Sequence, residues 1–585
     1  MMSKDYKYHT EENISLSHFS LLNRILKLSS CLAFIRETRN AFKGTIGSTV
    51  RVIIDKEYDS ITKEISNIPI ENLTLIKLYS YLSGPIKERI IASTIVCNSI
   101  SSGKLPSLIN RILSISPYGI HQVSSITSKM IDSSISVLLT FIRNWTVYGV
   151  LNDPDNEFFI KKHVGKVDSE LWWSTKYELV ESLVPNFLIE NNVIHQILVS
   201  GKSILFMRKH RDCFSSNFVD NFGSSAPFAV NYQQPKMKEV KPEIAWSGPS
   251  FELSMVPKFA EDSMKSLMYM IKQTVWIPGH LKTIQDFILF ARGDFASALY
   301  QNFNDNIDED PPTLLLQSIN QVALTKNYTN QMTKEILTDR IDLKKKWTVQ
   351  PPPDEISLVY LVNPPIDTFL GKNVLLNYEL IGSLVWKLKC CEFKLGNNWS
   401  LMKRLQNLSQ LGFKLRNMCL LRNLMGFVVR TVLEYLTTDI ILCGWEELSN
   451  ELENAKDLDN MIKSHRIYLE RIMEGALQTP AMSVRLKMLT QMLNVISEFS
   501  DVVDEVEAIY DSIVQMMKKS KIFAKNNVFG EKAKELRDVS KRVNDLYRKF
   551  ETQLSQFYIM SFNEIKSKAL EQLEARFRFC VENIQ

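Results

Sequence analysis

The stretch 425–472 constrains the fold more than any other part of the chain, because its apolar residues follow two joined helical patterns. Cys443-Gly444 separates the two patterns, and Asp457 stands where an N-cap could restart a helix. Apolar residues at steps of mostly three and four lie on one face of an α-helix, and such a face needs helical neighbours to cover it. The first pattern consists of Met425, Val428, Val429, Val432, Leu433, Leu436 and Ile440. The stretch therefore predicts part of a helix-bundle core.

The residue types in this stretch also form an ordered set. Its members are Tyr435, Cys443-Gly444-Trp445-Glu446-Glu447-Leu448, Ala455-Lys456-Asp457-Leu458-Asp459, His465 and Leu469. The set resembles the C-terminal module of the gamma-tubulin complex proteins. That module has a tryptophan followed by an acidic residue and leucine, an Ala-x-Asp-Leu-Asp run, and a histidine before the next leucine.

A second ordered set lies in the first half of the chain. It predicts a helix end, a glycine turn and an Asp-Pro turn that leads into an aromatic extended segment. Its members are Trp145, Gly149, Asp153, Pro154, Glu157-Phe158-Phe159, Trp173, Tyr177, Pro185 and Gly201. From the residues alone this is a packed corner, and it is similar to the N-terminal module of the same family. Gly293-Asp294-Phe295 resembles the family's Gly-Asp-Phe, with Arg292 in place of its usual glutamine.

Gly201-Lys202-Ser203 could suggest a phosphate-binding loop. Such a loop requires a glycine five positions before the second one, and Gln196 occupies that position. The residues before Gly201 have helical spacing, so we predict a helix without nucleotide affinity.

Composition excludes several functional classes. The 70 basic and 65 acidic residues leave a net charge of +5, too small and scattered to indicate nucleic-acid binding. We find no signal-peptide core and no apolar run long enough for a bilayer, so we expect no membrane insertion and reduced cysteines. The histidines and cysteines form no metal-binding pattern, and no catalytic motif is present. We therefore expect a protein that is not an enzyme and has no metal or cofactor.

These patterns predict an all-α protein, an elongated stack of helical bundles in two modules. The N-terminal module spans 14–213 and the C-terminal module 263–585. Between them, proline, glycine and serine residues in 214–262 predict a flexible loop or linker. A threes-and-fours pattern near the C-terminus predicts a long helix, as a bundle member or in a coiled coil: Leu536, Val539, Val543, Leu546, Phe550 and Leu554.

The resemblance implies a structural component of the gamma-tubulin complex. In that family the N-terminal module packs beside neighbouring components, and the C-terminal module holds one gamma-tubulin. A ring of such pairs templates microtubule nucleation at centrosomes or spindle poles, in the cytoplasm and cytoskeleton. Lys202-Ser203-Ile204 and the Trp173 segment look most like component 3, with components 2 and 4 as alternatives. The alternatives are another helical scaffold without gamma-tubulin binding, or an enzyme with an unusual site.

Four cations are the candidates for gamma-tubulin binding. Lys387, Lys389, Arg422 and Arg430 are expected on the solvent-facing side of the C-terminal motif helices. Tubulins are acidic, so a cationic surface would steer and orient their approach. We expect Trp445, in contrast, to be a core residue, whose truncation would cost roughly 3–5 kcal/mol.

Overall fold

The computed structural model describes most of the chain and divides it into two compact units. The described residues are 15–70, 73–102, 107–115, 119–163, 165, 168, 170–190, 193–210, 248–306, 309–323, 340–345, 352–405, 415–519, 525–563, 571–573 and 576–577. The first unit is Met1–Tyr269 and the second is Met270–Gln585.

Helices form nearly all of the first unit. They are α1 (Leu16–Thr38), α2 (Thr45–Ser66), α3 (Leu75–Leu82), α4 (Pro85–Ser102), α5 (Leu108–Ile115), α6 (His121–Tyr148), α7 (Trp172–Thr175), α8 (Asn186–Glu190), α9 (Ile194–Lys209) and α10 (Gly248–Tyr269). The strands β1 (Ile160–Lys162) and β2 (Tyr177–Leu179) pair antiparallel, with Ile160 opposite Leu179.

The core of the first unit is built around α6, which packs against α2, α4, α5, α9 and α10. Its inward side chains, Met130 and Trp145 among them, are fully buried. Helix α6 is long and apolar enough to cross a membrane by length and composition alone. Here one face of the helix is buried against other helices, as expected for a bundle helix. The absence of membrane insertion stays a prediction.

The predicted loop 214–262 was wrong for its last part. Residues 248–262 begin α10, which packs against α6 and α9 and buries Ala260 and Ser263. Pro249 falls in the first turn, where the missing N–H has no intrahelical partner to lose. Tertiary packing therefore outweighs the low helix propensity of this proline-containing segment. Residues 214–247 lie outside the described residues.

The second unit is also helical. Its helices are α11 (Ile277–Thr283), α12 (Gly293–Asp305), α13 (Pro311–Ala323), α14 (Lys372–Arg404), α15 (Leu415–Glu434), α16 (Cys443–Asn454), α17 (Leu458–Gly475), α18 (Ser483–Lys519) and α19 (Lys525–Asn563). Wider π-helical turns occupy Met270–Thr274, Ile284–Ile288 and Tyr435–Leu442. The strands β3 (Ile341–Leu343) and β4 (Leu358–Tyr360) pair antiparallel. The all-α prediction is confirmed, because the two short sheets are the only ones among the described residues.

Two antiparallel helix pairs organise the second unit. In the first, Leu395 and Met402 of α14 contact Arg422 and Cys419 of α15, in reverse order along the chain.

The second pair is α18 and α19. Lys549 binds Glu498 at 2.8 Å, and Arg542 binds Glu505 at 2.6 Å. Each ion pair lies seven residues from the next on both helices, the spacing of coiled-coil pairing. Phe499 and Phe550 are fully buried, so α19 is a bundle member with a coiled-coil-like contact to α18.

Candidate functional site

The Trp145 side chain is the centre of the N-terminal motif. Its ring is fully buried, and its Nε1 donates a hydrogen bond of 2.8 Å to the carbonyl oxygen of Ile197 on α9. A Cβ on Gly201 would lie 2.1 Å from this ring, so only glycine allows α9 to come so close. Tyr177 packs on the same ring at 4.9 Å between centroids. The motif tryptophan and glycine thus fix the contact between α6 and α9.

The turns that follow α6 are held by polar side chains. Gly149 ends α6 in the left-handed conformation, at φ 60°. Asp153 accepts hydrogen bonds from the backbone N–H groups of Glu157 (3.1 Å) and Phe158 (2.8 Å), which closes the turn that includes Pro154. The Glu157 carboxylate then accepts the N–H of Ile46, at 2.8 Å, in the first turn of α2. A carboxylate at a helix N-terminus satisfies N–H groups that have no partner inside the helix.

The residues on either side of Pro185 are held by one amide. Asn110 on α5 donates from Nδ2 to the carbonyl oxygen of Val184 at 2.9 Å, and its Oδ1 accepts the N–H of Asn186 at 3.2 Å. Trp173 is buried and meets Phe206 edge-on at 5.8 Å. The N-terminal motif is therefore a packed corner, as the sequence predicts.

Gly201-Lys202-Ser203 lies inside α9, which runs without interruption from Ile194 to Lys209. Ser203 Oγ donates to the carbonyl oxygen of Val199 within the helix, at 2.7 Å. A phosphate-binding loop would require these residues before the helix starts, with their N–H groups free. The helix prediction is confirmed.

Trp445 differs from the prediction. Its side chain is half-buried on α16, with Lys282 Nζ 5.5 Å from the ring centroid. A second lysine, Lys272, donates to the carbonyl oxygen of Glu453 at the end of α16, at 2.7 Å. The core assignment of Trp445 was wrong, because the side chain stays partly exposed and has a cation over its ring.

The buried anchor of the C-terminal motif is His465 on α17. Its Nε2 lies 2.8 Å from the Tyr378 hydroxyl of α14, and its ring stacks on Phe369 at 4.7 Å. Burial lowers the pKa of His465 to about 3, so the ring is neutral in the folded protein. The Asp457 side chain caps α17 by accepting the N–H of Asn460 at 2.7 Å, which confirms the predicted N-cap. His465 is therefore a core residue of the second unit.

The Gly293-Asp294-Phe295 motif begins α12. Arg292 binds the Asp294 carboxylate at 2.9 and 2.5 Å, and these hydrogen bonds lower the pKa of that carboxyl. Phe295 is fully buried against Phe287, at 4.8 Å. Gly293 has open space around it, so the structure shows no steric need for glycine there.

The four predicted gamma-tubulin contacts differ in exposure. Lys387 and Arg430 are exposed, as expected. Lys389 is mostly buried and pairs with Glu392 at 3.2 Å. Arg422 is half-buried, and its Nε donates to the carbonyl oxygen of Leu395 at 3.0 Å. The expectation of free solvent-facing cations was wrong for Lys389, which pairs with a carboxylate on its own helix, and for Arg422, which bonds across the α14–α15 pair.

Sequence reasoning missed an aromatic residue beside these cations. Trp399 of α14 is 39% exposed, and both Lys403 and Arg422 lie over its ring. The distances to the ring centroid are 5.4 Å from Lys403 Nζ and 5.3 Å from Arg422 Cζ. The available signal was the charge pattern, since residues 393–433 contain no acidic residue.

Two family models match the chain in sequence order. The model for the N-terminal region of gamma-tubulin complex components covers residues 1–309, and the model for their C-terminal region covers 278–580. The chain belongs to the gamma-tubulin complex component family. The resemblance found from the two motif sets is thereby confirmed.

Several relatives are similar over most of this family member. Spindle pole body component 98 of Dictyostelium discoideum is 24% identical over 458 residues, which are 70% of this chain and 55% of that protein. Spindle pole body component alp6 of Schizosaccharomyces pombe is 25% identical over 448 residues, 72% of this chain and 51% of that protein. Gamma-tubulin complex component 3 of Homo sapiens is 23% identical over 516 residues, 85% of this chain and 55% of that protein. The resemblance to component 3 is confirmed, and the chain spans about half the length of the curated relatives it matches.

In the part of the chain that the structure describes, no group of three or more His, Cys, Asp or Glu side chains could hold a metal ion. The motif residues act on packing: Trp145 and Gly201 join two helices, and His465 joins α17 to α14.

Proposed function

We propose that this chain is a structural component of the gamma-tubulin complex that helps to template microtubule nucleation. The proposal rests on the match of both family models, in family order, across nearly the whole chain. The mechanism is geometric, because pre-placed subunits avoid part of the entropy that free subunits lose on association. We propose that it acts in the cytoplasm and cytoskeleton, at a microtubule-organising centre such as a centrosome or spindle pole.

We further propose that the two modules bind different partners. The C-terminal module, 263–585, holds gamma-tubulin, and the N-terminal module, 14–213, packs beside neighbouring components. Exposed cations on α14 and α15, Lys387 and Arg430 among them, support the first assignment, because tubulins are acidic. Large exposed apolar side chains in the first unit, including Leu16, Ile70 and Ile76, support the second. Exposed apolar residues mark a protein interface where they form one contiguous patch, and the Ile70→Asp/Ile76→Asp variant below tests this assignment.

Capture experiments with the full chain test the proposed function. Tagged wild-type protein is expected to retain gamma-tubulin and at least one other component of the complex. The Ile70→Asp/Ile76→Asp variant is expected to lose the neighbouring component and to keep gamma-tubulin. Wild-type protein that retains neither partner contradicts the proposal, and one that retains only the neighbour indicates a helical scaffold.

Charge reversal at the two exposed cations tests the C-terminal assignment. Lys387→Glu/Arg430→Glu is expected to weaken gamma-tubulin capture about five- to tenfold at low salt. The matched control is Lys463→Glu/Arg466→Glu on α17, where both side chains are also exposed. Equal loss in the two variants would mean that net charge matters and that position does not.

A further inference from the structure

Residues 393–433 have an unusual charge pattern. Acidic residues make up 65 of the 585 in the chain, so a stretch of this length would on average carry about four or five. This stretch carries none, although its cations are Lys394, Lys403, Arg404, Lys414, Arg416, Arg422 and Arg430. It covers the end of α14 and nearly all of α15, which form one antiparallel pair.

Large apolar side chains are exposed on the same helix pair. Leu420 is 50% and Phe427 is 42% exposed on α15, and Trp399 is 39% exposed on α14. Leu420, Phe427 and Arg430 recur at steps of seven and three, so they lie along one stripe of α15. Arg422 connects this helix to Trp399, because its guanidinium lies over the indole ring. We name the set Trp399, Lys403, Leu420, Arg422, Phe427 and Arg430 the hairpin surface.

The cations of the hairpin surface are not neutralised by their surroundings. Among the described residues, no carboxylate pairs with Lys403, Arg422 or Arg430. By contrast, the neighbouring Lys394 pairs with Asp354, and Arg404 pairs with Glu507. Burial and the charge of Arg430 both lower the pKa of Arg422, so the two guanidinium groups repel each other electrostatically. An acidic partner would relieve this repulsion.

We propose that Trp399, with Lys403 and Arg422 over its ring, is the anchor through which this chain holds an acidic surface of gamma-tubulin. The inference rests on the proposed function and names the central contact of its C-terminal site. Tryptophan and arginine are the residue types that carry most binding energy in protein interfaces. The two cations hold the ring in place and give it a charge that is complementary to an acidic surface.

Two other occupants fit less well. A second copy of this chain would bring the same cations of both copies together, because a two-fold interface pairs identical surfaces. A single-stranded nucleic acid could stack on Trp399, but it would leave Leu420 and Phe427 against charged phosphates. An acidic protein surface with apolar side chains satisfies both the cations and the exposed apolar residues.

Titration of the full-length chain with purified gamma-tubulin tests the anchor. Trp399→Ala is expected to weaken binding about tenfold or more, the usual effect at a central interface tryptophan. Trp399→Phe should recover part of the affinity, since it keeps an aromatic face for the cations. The matched control is Ile467→Ala on α17, which removes a large exposed apolar side chain in the same unit. The control should bind within twofold of wild type.

A second variant tests the anchor even if Trp399→Ala does not fold. Lys403→Glu changes an exposed side chain, so it should leave the thermal midpoint unchanged while weakening binding several-fold. Wild-type binding together with unchanged affinity in both variants overturns the anchor and leaves the proposed function intact. A wild-type chain that does not bind gamma-tubulin overturns both. Binding of a single-stranded oligonucleotide to the wild-type chain that is lost in Trp399→Ala, with gamma-tubulin affinity unchanged in that variant, would assign the surface to nucleic acid instead.

Discussion

Trp145 and Trp445 are the signature tryptophans of the two motifs, yet they have different physical roles. Trp145 is fully buried, donates its N–H to Ile197 and presses against Gly201. Trp445 is half-buried and carries the Lys282 cation over its ring. A motif match therefore identifies a family position, but it does not reveal whether the residue there is a core residue or a surface residue.

The polar anchors of the two motifs differ as well. The first is held by an indole N–H, which does not titrate, whereas the second is held by the neutral imidazole of His465 against Tyr378. Stability of the second motif should therefore depend on pH more strongly than stability of the first.

Truncation of the first tryptophan should have the largest effect. Trp145→Ala empties a fully buried site and removes the indole N–H that donates to the Ile197 carbonyl. We expect the free energy of unfolding to fall by roughly 3–5 kcal/mol. Chemical denaturation followed by circular dichroism measures this, and a loss below about 1 kcal/mol would mean that the corner can close around the cavity.

A methyl group at Gly201 should destabilise the fold nearly as much. Its Cβ would lie 2.1 Å from Trp145, so Gly201→Ala is expected to cost about 1–3 kcal/mol or more through displacement of the ring or α9. Gly396→Ala on α14 is the matched control, because that glycine is also helical and has nothing within 4 Å. The free energy of unfolding of the control should rise by about 1 kcal/mol, because alanine has a higher helix propensity than glycine. Effects of the same sign in both variants would contradict the close approach of α6 and α9.

Acidification should weaken the second motif through His465. A histidine in the unfolded chain has a pKa of about 6.5, whereas His465 in the folded protein has a pKa of about 3. Between these values the unfolded state binds a proton that the folded state refuses, so stability falls as pH falls from about 6.5 towards 3. The slope reaches about 1.4 kcal/mol per pH unit for one such group.

The variant His465→Gln tests the source of this pH dependence. Its free energy of unfolding should change less steeply with pH below about 6.5 than that of wild type. His280, whose pKa burial lowers to about 4, should supply a residual slope in the same direction. Identical slopes in variant and wild type would show that His465 is not the group that titrates.

Truncation of the second tryptophan should have the smallest effect. Trp445→Ala removes a half-buried ring and its contact with Lys282, for which we expect about 1–2 kcal/mol. A double-mutant cycle with Lys282→Ala should give a coupling energy of about 0.5–1 kcal/mol. A loss as large as that of Trp145→Ala would remove the contrast between the two motifs.

Helix patterns could be predicted from the sequence because they depend on local periodicity. The face of α15 that includes Met425, Val428 and Val432 is buried as predicted, and Asp457 caps α17. Exposure of individual motif residues could not be predicted, because it depends on helices distant in sequence. Lys282 lies more than 160 residues before Trp445, and no local pattern pairs them. The partial burial of Arg422 could not be predicted for the same reason, because its Nε donates to the carbonyl oxygen of Leu395 on another helix.

The helical segment 248–262 shows a second limit. Proline, glycine and serine residues favour a loop, yet α10 begins there, packs against α6 and α9 and buries Ala260. Trp399 was overlooked for the opposite reason: motif searches seek residues shared with a family, whereas its significance lies in exposure beside two cations. The acid-free pattern of 393–433 was visible in the sequence, but only the structure places Trp399 and Arg422 in contact.

Sedimentation velocity of the full chain mixed with purified gamma-tubulin tests whether the chain holds gamma-tubulin. We expect a complex that contains one gamma-tubulin per chain at low salt and dissociates as salt screens the cationic contact. Two species that sediment independently at micromolar concentrations of both proteins would contradict it.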